Sequence, residues 1–403
     1  MKQWKTENWF TSPWNFAEEV RNTIYFKDKI KIHDVTLRDG EQQAGLVFNK
    51  DQKVAFAEKL AELGVHRIEA GMPAVSKQDT DAIKEIVKRN LGPEIFAFGR
   101  CMKDDVKRAV DCGVKGVIIE IPSSEHIIEK AYKWPLEKAI ELSIETTQFA
   151  KESGLYTVFF PIDASRADIH WFLDLIEKVA TEGHMDALVL VDTLGGINPH
   201  SVPYLVKKVK QRISKPLELH FHDDFGLGAA NTIFGLAAGA DVAHTTITGI
   251  GERSGNAPFE DIIMALKTMY DIDLGIDTKK IYDVSRFMRD ITGIEVRPNR
   301  PIVGDKLFTI ESGIVTEWYK NCIKEDPTEV YPFKWDMVGQ SEPKICMGKK
   351  SGLPNLEIWL DRLGLDVLEE NYTEILTKVK DYSIKRGRAL TESEFIEIVD
   401  SVR

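Results

Sequence analysis

Two histidines one residue apart, His220 and His222, lie in a short apolar run of the kind that forms a buried β-strand. Side chains alternate along a strand, so both imidazoles face the same side. A carboxylate such as Asp39 opposite them would complete three ligands with open positions, the plan of a catalytic metal site. We predict a divalent metal, Mn²⁺ or Mg²⁺, with Zn²⁺, Fe²⁺ or Co²⁺ as alternatives. The simpler interpretation is a pair of hydrogen-bonded histidines near a strand end.

Arg38 precedes Asp39 and would place a fixed cation beside that metal. Such a cation can stabilise the negative charge that develops on an enolate or alkoxide oxygen. A salt bridge to Glu69 or Asp163 would instead give the arginine a structural role. Glu69 is either an acid–base group or the partner of Arg38, and we favour the partner role.

Other polar side chains stand where apolar runs end. Thr193 would donate to a substrate carboxylate or cap a helix. The glycine-rich segment 249–256 ends at Asn256, and its backbone N–H groups could approach an anion if it follows the last strand of a barrel. Gln42 and Arg100 follow the first and third runs. These positions are therefore candidate substrate contacts.

Short β-branched runs alternate with longer stretches of helical spacing between residues 30 and 270. Strands that alternate with helices imply parallel pairing, because each connection must cross back over the sheet. Eight such units in about 240 residues match a (β/α)8 TIM barrel, an α/β fold whose active sites lie at strand ends. An open doubly wound sheet is the alternative, although no Gly-x-Gly-x-x-Gly follows the first strand. The predicted strands are 31–37, 66–70, 94–98, 116–121, 155–160, 186–191, 217–222 and 242–247.

Two segments flank the predicted barrel at 30–270. Residues 1–29 carry Trp4, Trp9 and Trp14, and we predict an N-terminal arm that docks by burying these rings, with ligand stacking as the alternative. Residues 271–403 contain several helical patterns but little sign of an independent core. We therefore predict a mostly helical C-terminal subdomain that packs across a homodimer.

Charge and composition exclude several classes of protein. Lysine and arginine number 53 and aspartate and glutamate 64, so the net charge is −11. This charge repels phosphate backbones and disfavours a nucleic-acid partner. No run approaches the ~18 apolar residues that span a bilayer, and no signal peptide begins the sequence. We expect a cytoplasmic protein with a small-molecule substrate and neither a membrane nor a nucleic-acid partner.

Several longer motifs occur together and in a characteristic order. They are Leu-Arg-Asp-Gly-Glu-Gln at 37–42, Ile-Glu-Ala-Gly-Met-Pro at 68–73, Asp-Ala-Ser-Arg at 163–166, His-x-His-Asp at 220–223, Gly-x-Gly-Glu-Arg-x-Gly-Asn at 249–256 and, further on, Glu-Ser-Gly-Ile at 311–314 and Gly-Lys-Lys-Ser-Gly at 348–352. Together they resemble the DRE-TIM metallolyase superfamily, and within it the 2-isopropylmalate, homocitrate and citramalate synthases. The likeness covers roughly residues 30–355 and is specific as a set.

The resemblance implies a barrel, a divalent metal, and a helical C-terminal subdomain that reaches over a partner subunit's active site. It also implies condensation of an acyl-CoA with a 2-oxo acid. In the family's motifs, the metal ligands match Asp39, His220 and His222. The arginine that stabilises charge on the substrate oxygen matches Arg38, and the threonine that contacts the substrate carboxylate matches Thr193. The predicted site residues are Asp39, His220 and His222 as metal ligands, Arg38, Glu69 and Tyr331 as catalytic residues, and Gln42, Arg100, Thr193 and Asn256 as substrate contacts.

Two positions depart from the family pattern. Ile162 stands where these synthases carry a glutamate before Asp-Ala-Ser-Arg, and Ile310 where they carry the first histidine of His-Glu-Ser-Gly. That pair is usually assigned to proton transfer at the acetyl-CoA methyl group, and isoleucine cannot transfer a proton. A base displaced to another position is the alternative, and the candidates are Asp163, Glu311, Glu317 and Tyr331.

Three functions remain open at this point. The first is a metal-dependent synthase of the Claisen type, the second a metal-dependent lyase or aldolase that runs the reverse cleavage, and the third a non-catalytic binder on the same scaffold. A binder has little use for an open metal site, which argues against the third. Because of Ile162 and Ile310, we expect acetyl-CoA to turn over slowly with pyruvate, 2-oxoisovalerate or 2-oxoglutarate.

Overall fold

The structure is a computed structural model and describes residues 2–402. The chain forms two compact units. The barrel unit is Trp14–Val296, and the C-terminal unit combines Met1–Pro13 with Arg297–Arg403.

The barrel unit extends beyond the predicted range 30–270 at both ends. Before the first strand, the Tyr25 N–H donates to the Ala237 carbonyl at 2.6 Å. After the last strand, the ring of Phe287 stacks on that of Phe56, with centroids 6.0 Å apart. Residues 14–29 and 271–296 therefore pack on the barrel. The predicted boundaries after residues 29 and 270 differ from those of the two compact units, which lie after residues 13 and 296.

Eight parallel strands close into the predicted barrel, with β8 pairing β1. Most strand residues are buried, as expected when helices cover the outside of a parallel sheet. The first strand is shorter than predicted because the Val35 carbonyl accepts the N–H groups of Arg38, Asp39 and Gly40, which turns the chain. The strands are β1 (Lys31–Asp34), β2 (Arg67–Glu69), β3 (Glu94–Arg100), β4 (Gly116–Pro122), β5 (Tyr156–Ile162), β6 (Ala187–Asp192), β7 (Leu217–Phe221) and β8 (Val242–Thr245).

Helices follow the strands and present apolar residues to them. The first long helix begins with a capping box, in which Asn49 and Gln52 each accept the other's backbone N–H at 2.9 Å, and it ends at Gly64 with φ +89°. Within residues 2–402, no helix combines the length and apolar character that crossing a membrane requires. The helices of the barrel unit are α1 (Glu18–Arg21), α2 (Lys50–Leu63), α3 (Lys77–Arg89), α4 (Lys103–Cys112), α5 (Glu125–Lys130), α6 (Leu136–Glu152), α7 (Ile169–Glu182), α8 (Ser201–Arg212), α9 (Gly228–Ala237), α10 (Phe259–Met269) and α11 (Ile281–Thr292).

The inside of the barrel is partly apolar and partly charged. The strands contribute a cluster of eight buried residues, Phe96, Phe98, Ile118, Val158, Phe160, Ala187, Val189 and Val191. In contact with this cluster, Arg67 donates to Glu218 at 2.7 Å, and His244 lies 2.8 Å from the same carboxylate. These fully paired charges can stay in the interior because each has a partner of opposite charge or a hydrogen bond.

The C-terminal unit has a core of its own, which corrects the sequence-based view that this region shows little sign of one. Twelve buried residues form that core, and they include Leu356, Trp359, Val379 and Phe395. A two-stranded parallel sheet joins 309–310 to 344–345. The elements are β9 (Thr309–Ile310), α12 (Gly313–Cys322), β10 (Lys344–Ile345), α13 (Leu353–Leu363), α14 (Tyr372–Arg386) and α15 (Glu392–Asp400).

The first residues of the chain belong to this C-terminal unit. Trp9 forms a bridge with Phe333, and Lys5 pairs with Asp326 at 3.0 Å. Trp14 begins the barrel unit and is 79% exposed, so the prediction that all three arm tryptophans dock by burial is wrong for Trp14.

Candidate metal centre and active site

Asp39, His220 and His222 converge at the carboxyl ends of β1 and β7. The Oδ2 atom of Asp39 lies 3.3 Å from His220 Nε2 and 3.9 Å from His222 Nε2. The two Nε2 atoms are 3.4 Å apart, and all three side chains are at least nine-tenths buried. One ligand atom from each residue lies within 4.8 Å of the others, which is the spacing that one metal ion needs.

The chemistry of these donors fits a divalent cation. His222 Nδ1 lies 3.1 Å from the Gly255 carbonyl, which fixes the proton there and leaves the Nε2 lone pair facing the trio. Burial lowers the pKa of His220 to about 3, so its ring is neutral. Burial opposes ionisation of Asp39, but the charge of Arg38 holds its pKa well below the usual value. The neutral His220 imidazole and the ionised Asp39 carboxylate are thus in the protonation states that ligands require.

Asn256 completes the surroundings of the trio. Its Nδ2 donates to Asp39 Oδ1 at 2.8 Å, and its Oδ1 is buried without a hydrogen-bond partner among residues 2–402. An amide can be turned to exchange these two atoms, which would present the oxygen to a metal. The position of Asn256 therefore suits a metal contact as well as the substrate contact that the sequence suggests.

A second histidine–carboxylate group, formed by His33, Glu218 and His244, is also compact enough to be considered for a metal. The rings of His33 and His244 are stacked, 4.5 Å apart with 22° between their planes. Their lone pairs lie in the ring planes, so stacked rings cannot aim both at one ion. Glu218 is also already bound by Arg67. We interpret this group as the internal ion-pair network of the barrel.

The Arg38 guanidinium is held through two of its three nitrogen atoms and through one face. Its Nε donates to Glu69, and its Nη1 donates to Asp39 at 2.7 Å and to Gln42 at 3.3 Å. The guanidinium lies over the ring of Phe98, 4.0 Å from the centroid. Its Nη2 is buried and has no hydrogen-bond partner within the described chain. Arg38 therefore has one preorganised donor left for an oxygen atom beside the metal trio.

Glu69 occupies the partner position that the sequence favours for it. Burial opposes its charge, but the adjacent Arg38 lowers the pKa of Glu69 to about 2. The Nε2 atom of His33 lies 3.3 Å from the other carboxylate oxygen, and burial lowers the pKa of His33 to about 4. A carboxylate that stays ionised and bonded to Arg38 is a poor acid–base group at neutral pH.

The remaining predicted contacts have other close partners. Arg100 is 55% exposed and binds Asp105 in a two-pronged pair, at 2.9 and 3.0 Å. Thr193 follows β6, and its hydroxyl accepts the Asp163 N–H at 2.8 Å while it keeps its own proton to donate. In the part of the chain that the structure describes, neither side chain forms a hydrogen bond or ion pair with the metal trio. Arg38 and Asn256 bond to Asp39 directly, and Glu69 and Gln42 are connected to it through Arg38.

Tyr331 belongs to the C-terminal unit. Its ring packs on Phe308, 5.2 Å between centroids, and lies near Trp335. Burial raises the pKa of its hydroxyl, which has no hydrogen-bond partner among residues 2–402. Within its own unit Tyr331 is therefore a neutral, unpaired hydroxyl that could donate a hydrogen bond.

The other candidate bases also have defined surroundings. The carboxylate of Asp163 binds Arg166 at 2.6 and 2.9 Å and accepts the Ser124 hydroxyl at 2.5 Å, so it is fully occupied. Glu311 accepts the Lys350 N–H at 3.2 Å, and Glu317 is exposed on α12. Ile162 packs against the apolar cluster inside the barrel, and Ile310 lies in the core of the C-terminal unit.

Lys53 is a residue of this site that the sequence reasoning missed. It is 1% exposed, and its Nζ lies 2.6 Å from Glu41 and from Asp79 and 3.2 Å from the Leu37 carbonyl. It thereby ties α2 and α3 to the turn that carries Arg38 and Asp39. The available signal was a lysine among the apolar positions of α2, where only a paired charge is tolerated.

Replacing Lys53 with methionine should destabilise the protein by about 3–5 kcal/mol, because it leaves two mostly buried carboxylates without their cation. Urea unfolding would measure this loss, with Lys59→Met as the control, since Lys59 makes a surface pair with Glu62 on the same helix. A Lys53 variant as stable as the Lys59 variant would show that this buried contact contributes nothing.

A cavity of about 710 Å³ opens between the loops that follow β1 and β2. Apolar and polar side chains both line it, and Arg38 and Gln42 are among the polar ones. The apolar lining residues are Leu37, Leu46, Val47, Phe48, Met72 and Val75. It offers room for a partly apolar ligand that contacts Arg38.

Comparison with known proteins places these features in context. A family model described as HMGL-like matches residues 29–288. The chain is 37% identical to homocitrate synthase AksA of Methanothermobacter thermautotrophicus, over 98% of each chain. It is 35% identical to (R)-citramalate synthase CimA of Methanocaldococcus jannaschii, over 93% of this chain and 74% of that protein. The crystal structure of HMG-CoA lyase from Bacillus subtilis covers 67% of this chain and 96% of its own at 23% identity, with a TM-score of 0.61, which shows the same fold.

Proposed function

The chain belongs to the HMGL-like family, which is the DRE-TIM superfamily that its motifs resemble. We propose that it is a metal-dependent synthase that condenses an acyl-CoA with a 2-oxo acid. The observation that carries this proposal is the buried trio of Asp39, His220 and His222 beside the unpaired Nη2 of Arg38. The relatives named as homocitrate and citramalate synthases support it.

The chain's own residues have distinct roles in this reaction. The reaction removes a proton from the carbon next to the thioester carbonyl and joins that carbon to the keto carbon of the 2-oxo acid. Hydrolysis of the thioester then releases CoA. A divalent ion held by Asp39, His220 and His222 would supply Lewis-acid polarisation of the keto group. Arg38 Nη2 would donate to the keto oxygen as it gains negative charge. Glu69 positions Arg38, and the apolar cavity would receive the thioester arm.

A lyase or aldolase that runs the reverse cleavage is the second candidate. The observation that favours it is the apolar character of Ile162 and Ile310. Condensation needs a base that removes a proton from the carbon next to the thioester carbonyl, whereas cleavage needs a base for the substrate hydroxyl group. A single screen with Mn²⁺ or Mg²⁺ distinguishes the candidates, since condensation releases CoA thiol and cleavage produces a 2-oxo acid. A protein that does neither would be a binder, and the proposed function would be wrong.

The two isoleucines lead to a prediction about the acyl donor. Acetyl-CoA with pyruvate, 2-oxoisovalerate or 2-oxoglutarate should turn over far below the ~1–10³ s⁻¹ that is usual for enzymes, because a positioned base typically contributes ~10²–10⁴ in rate. Other acyl-CoA thioesters should react faster in the same thiol-release assay. Turnover of acetyl-CoA within the usual range would mean that another residue serves as the base.

We also propose that the protein is a homodimer, as the family resemblance implies. Light scattering at micromolar concentration should give twice the 45.6 kDa mass of one chain. A monomer under these conditions would contradict the proposal without affecting the metal centre.

A further inference from the structure

We propose that Glu120 selects the 2-oxo acid by excluding those that carry a second carboxylate. The substrate class would then be a monocarboxylic 2-oxo acid with an apolar side chain. This inference rests on the proposed function, because it concerns the acid that the metal centre would hold.

Glu120 lies on the inner face of β4, close to its carboxyl end. Ile118, two residues earlier, belongs to the apolar cluster inside the barrel, and side chains two apart on a strand share a face. In register, Glu120 pairs with Arg100 on β3 and with Phe160 on β5. It is partly exposed, whereas the residues before it on the strand are buried, so its carboxylate lies where the barrel opens.

The Glu120 carboxylate has no hydrogen bond or ion pair with any residue in the described range 2–402. Phe160, its register partner on β5, packs on His220 of the metal trio with 5.0 Å between the ring centroids, so Glu120 lies at the same opening as the trio. Arg100 is also near, but Asp105 already occupies both edges of that guanidinium. An unpaired carboxyl group therefore faces the space beside the metal centre.

Several side chains at this opening are apolar. Phe98 lies under the Arg38 guanidinium, and the ring of Phe160 is 5.0 Å from that of His220. Ile162 is partly exposed at the end of β5, in register with Pro122 of β4. A side chain that extends from a 2-oxo acid in this direction meets aromatic and aliphatic carbon. A second carboxylate there would meet the Glu120 carboxylate, while the nearby guanidinium of Arg100 is already bound by Asp105 and that of Arg38 by Glu69 and Asp39. Such an arrangement rejects a ligand by like charge.

The test compares two kinds of 2-oxo acid on the metal-loaded, full-length protein. Calorimetric titration gives the dissociation constants of 2-oxoisovalerate and of 2-oxoglutarate for the wild type and for Glu120→Gln. The measurement is made at about pH 8, because burial raises the pKa of the Glu120 carboxyl. Glu137→Gln is the matched control, since it removes the same charge from an exposed position on α6.

The wild type and Glu137→Gln should bind 2-oxoisovalerate at least ~10-fold more tightly than 2-oxoglutarate, and Glu120→Gln should reduce that ratio by ~10-fold or more. Circular dichroism and metal content check that the variant is folded and loaded. A wild type that prefers 2-oxoglutarate, or a ratio that the Glu120 variant leaves unchanged, would overturn the inference. So would a Glu120 variant that loses turnover with its binding ratio intact, because that result assigns Glu120 to proton transfer.

These binding results are separate from those that test the proposed function. If the ratios behave as expected but the wild type releases no CoA thiol with any acyl-CoA, the inference stands and the synthase proposal fails. If neither acid binds the metal-loaded protein, both fail together.

Discussion

Replacing His222 with alanine should lower bound metal and activity together. His222 Nε2 is one of the three donors of the metal trio, and its Nδ1 is anchored on the Gly255 carbonyl. Removing even a residue that orients a ligand typically costs ~10–100-fold in metal affinity, so loss of a ligand should cost at least ~100-fold. Equilibration with buffered Mn²⁺, followed by metal analysis of the protein, would measure this directly.

His170→Ala is the matched control for this experiment. His170 is exposed on α7, and its substitution should leave metal content unchanged. Asp39→Ala and His220→Ala should resemble His222→Ala. If all three ligand variants keep the metal content of the wild type, the metal centre is assigned to the wrong residues.

Arg38→Lys should reduce turnover by ~10²–10³ while metal content stays near that of the wild type. Lysine keeps the positive charge but loses the planar fork. One ammonium group cannot bond Glu69, Asp39 and Gln42 and still offer a donor in the place of the unpaired Nη2. Steady-state kinetics with the best substrate pair, together with metal analysis, would separate the two effects.

Arg89→Lys provides the comparison, because Arg89 makes only surface pairs with Glu58 and Glu85. It should retain full turnover. An Arg38 variant with the same turnover would show that Arg38 is structural. Loss of metal in parallel with turnover would mean that Arg38 acts by holding Asp39 in place and not by contacting substrate.

The barrel could be predicted from the sequence because its signals are local. Each strand is a short β-branched run, each helix has its own apolar spacing and caps, and their strict alternation leaves few topologies. The His-x-His pair was also readable, since the alternation of side chains along a strand places both rings on one face. Asp39 could be added because the ends of all parallel strands in a barrel meet at one opening.

Partners that lie far apart in the sequence could not be read in the same way. In the sequence Lys53 is one of several lysines of a predicted helix, and only the structure shows that its Nζ lies between Glu41 and Asp79. Arg100 stood at a strand end like a substrate contact, yet Asp105 binds it on both edges. In each case charge and position were visible in the sequence, but the choice of partner depends on distances of a few ångströms between separate elements.

The sequence by itself determined the fold class, the family and the residues able to bind a metal, because all three depend on residue type, spacing and order along the chain. Only the tertiary structure decided which charges are paired and which are left free. Packing pairs Arg38 with Glu69, Asp39 and Gln42 but leaves its Nη2 without a partner within residues 2–402. It leaves the Glu120 carboxylate without a hydrogen bond or ion pair in the same range. Burial then makes these unpaired groups chemically significant, since a buried charge or donor without a partner gains most from a ligand that supplies one.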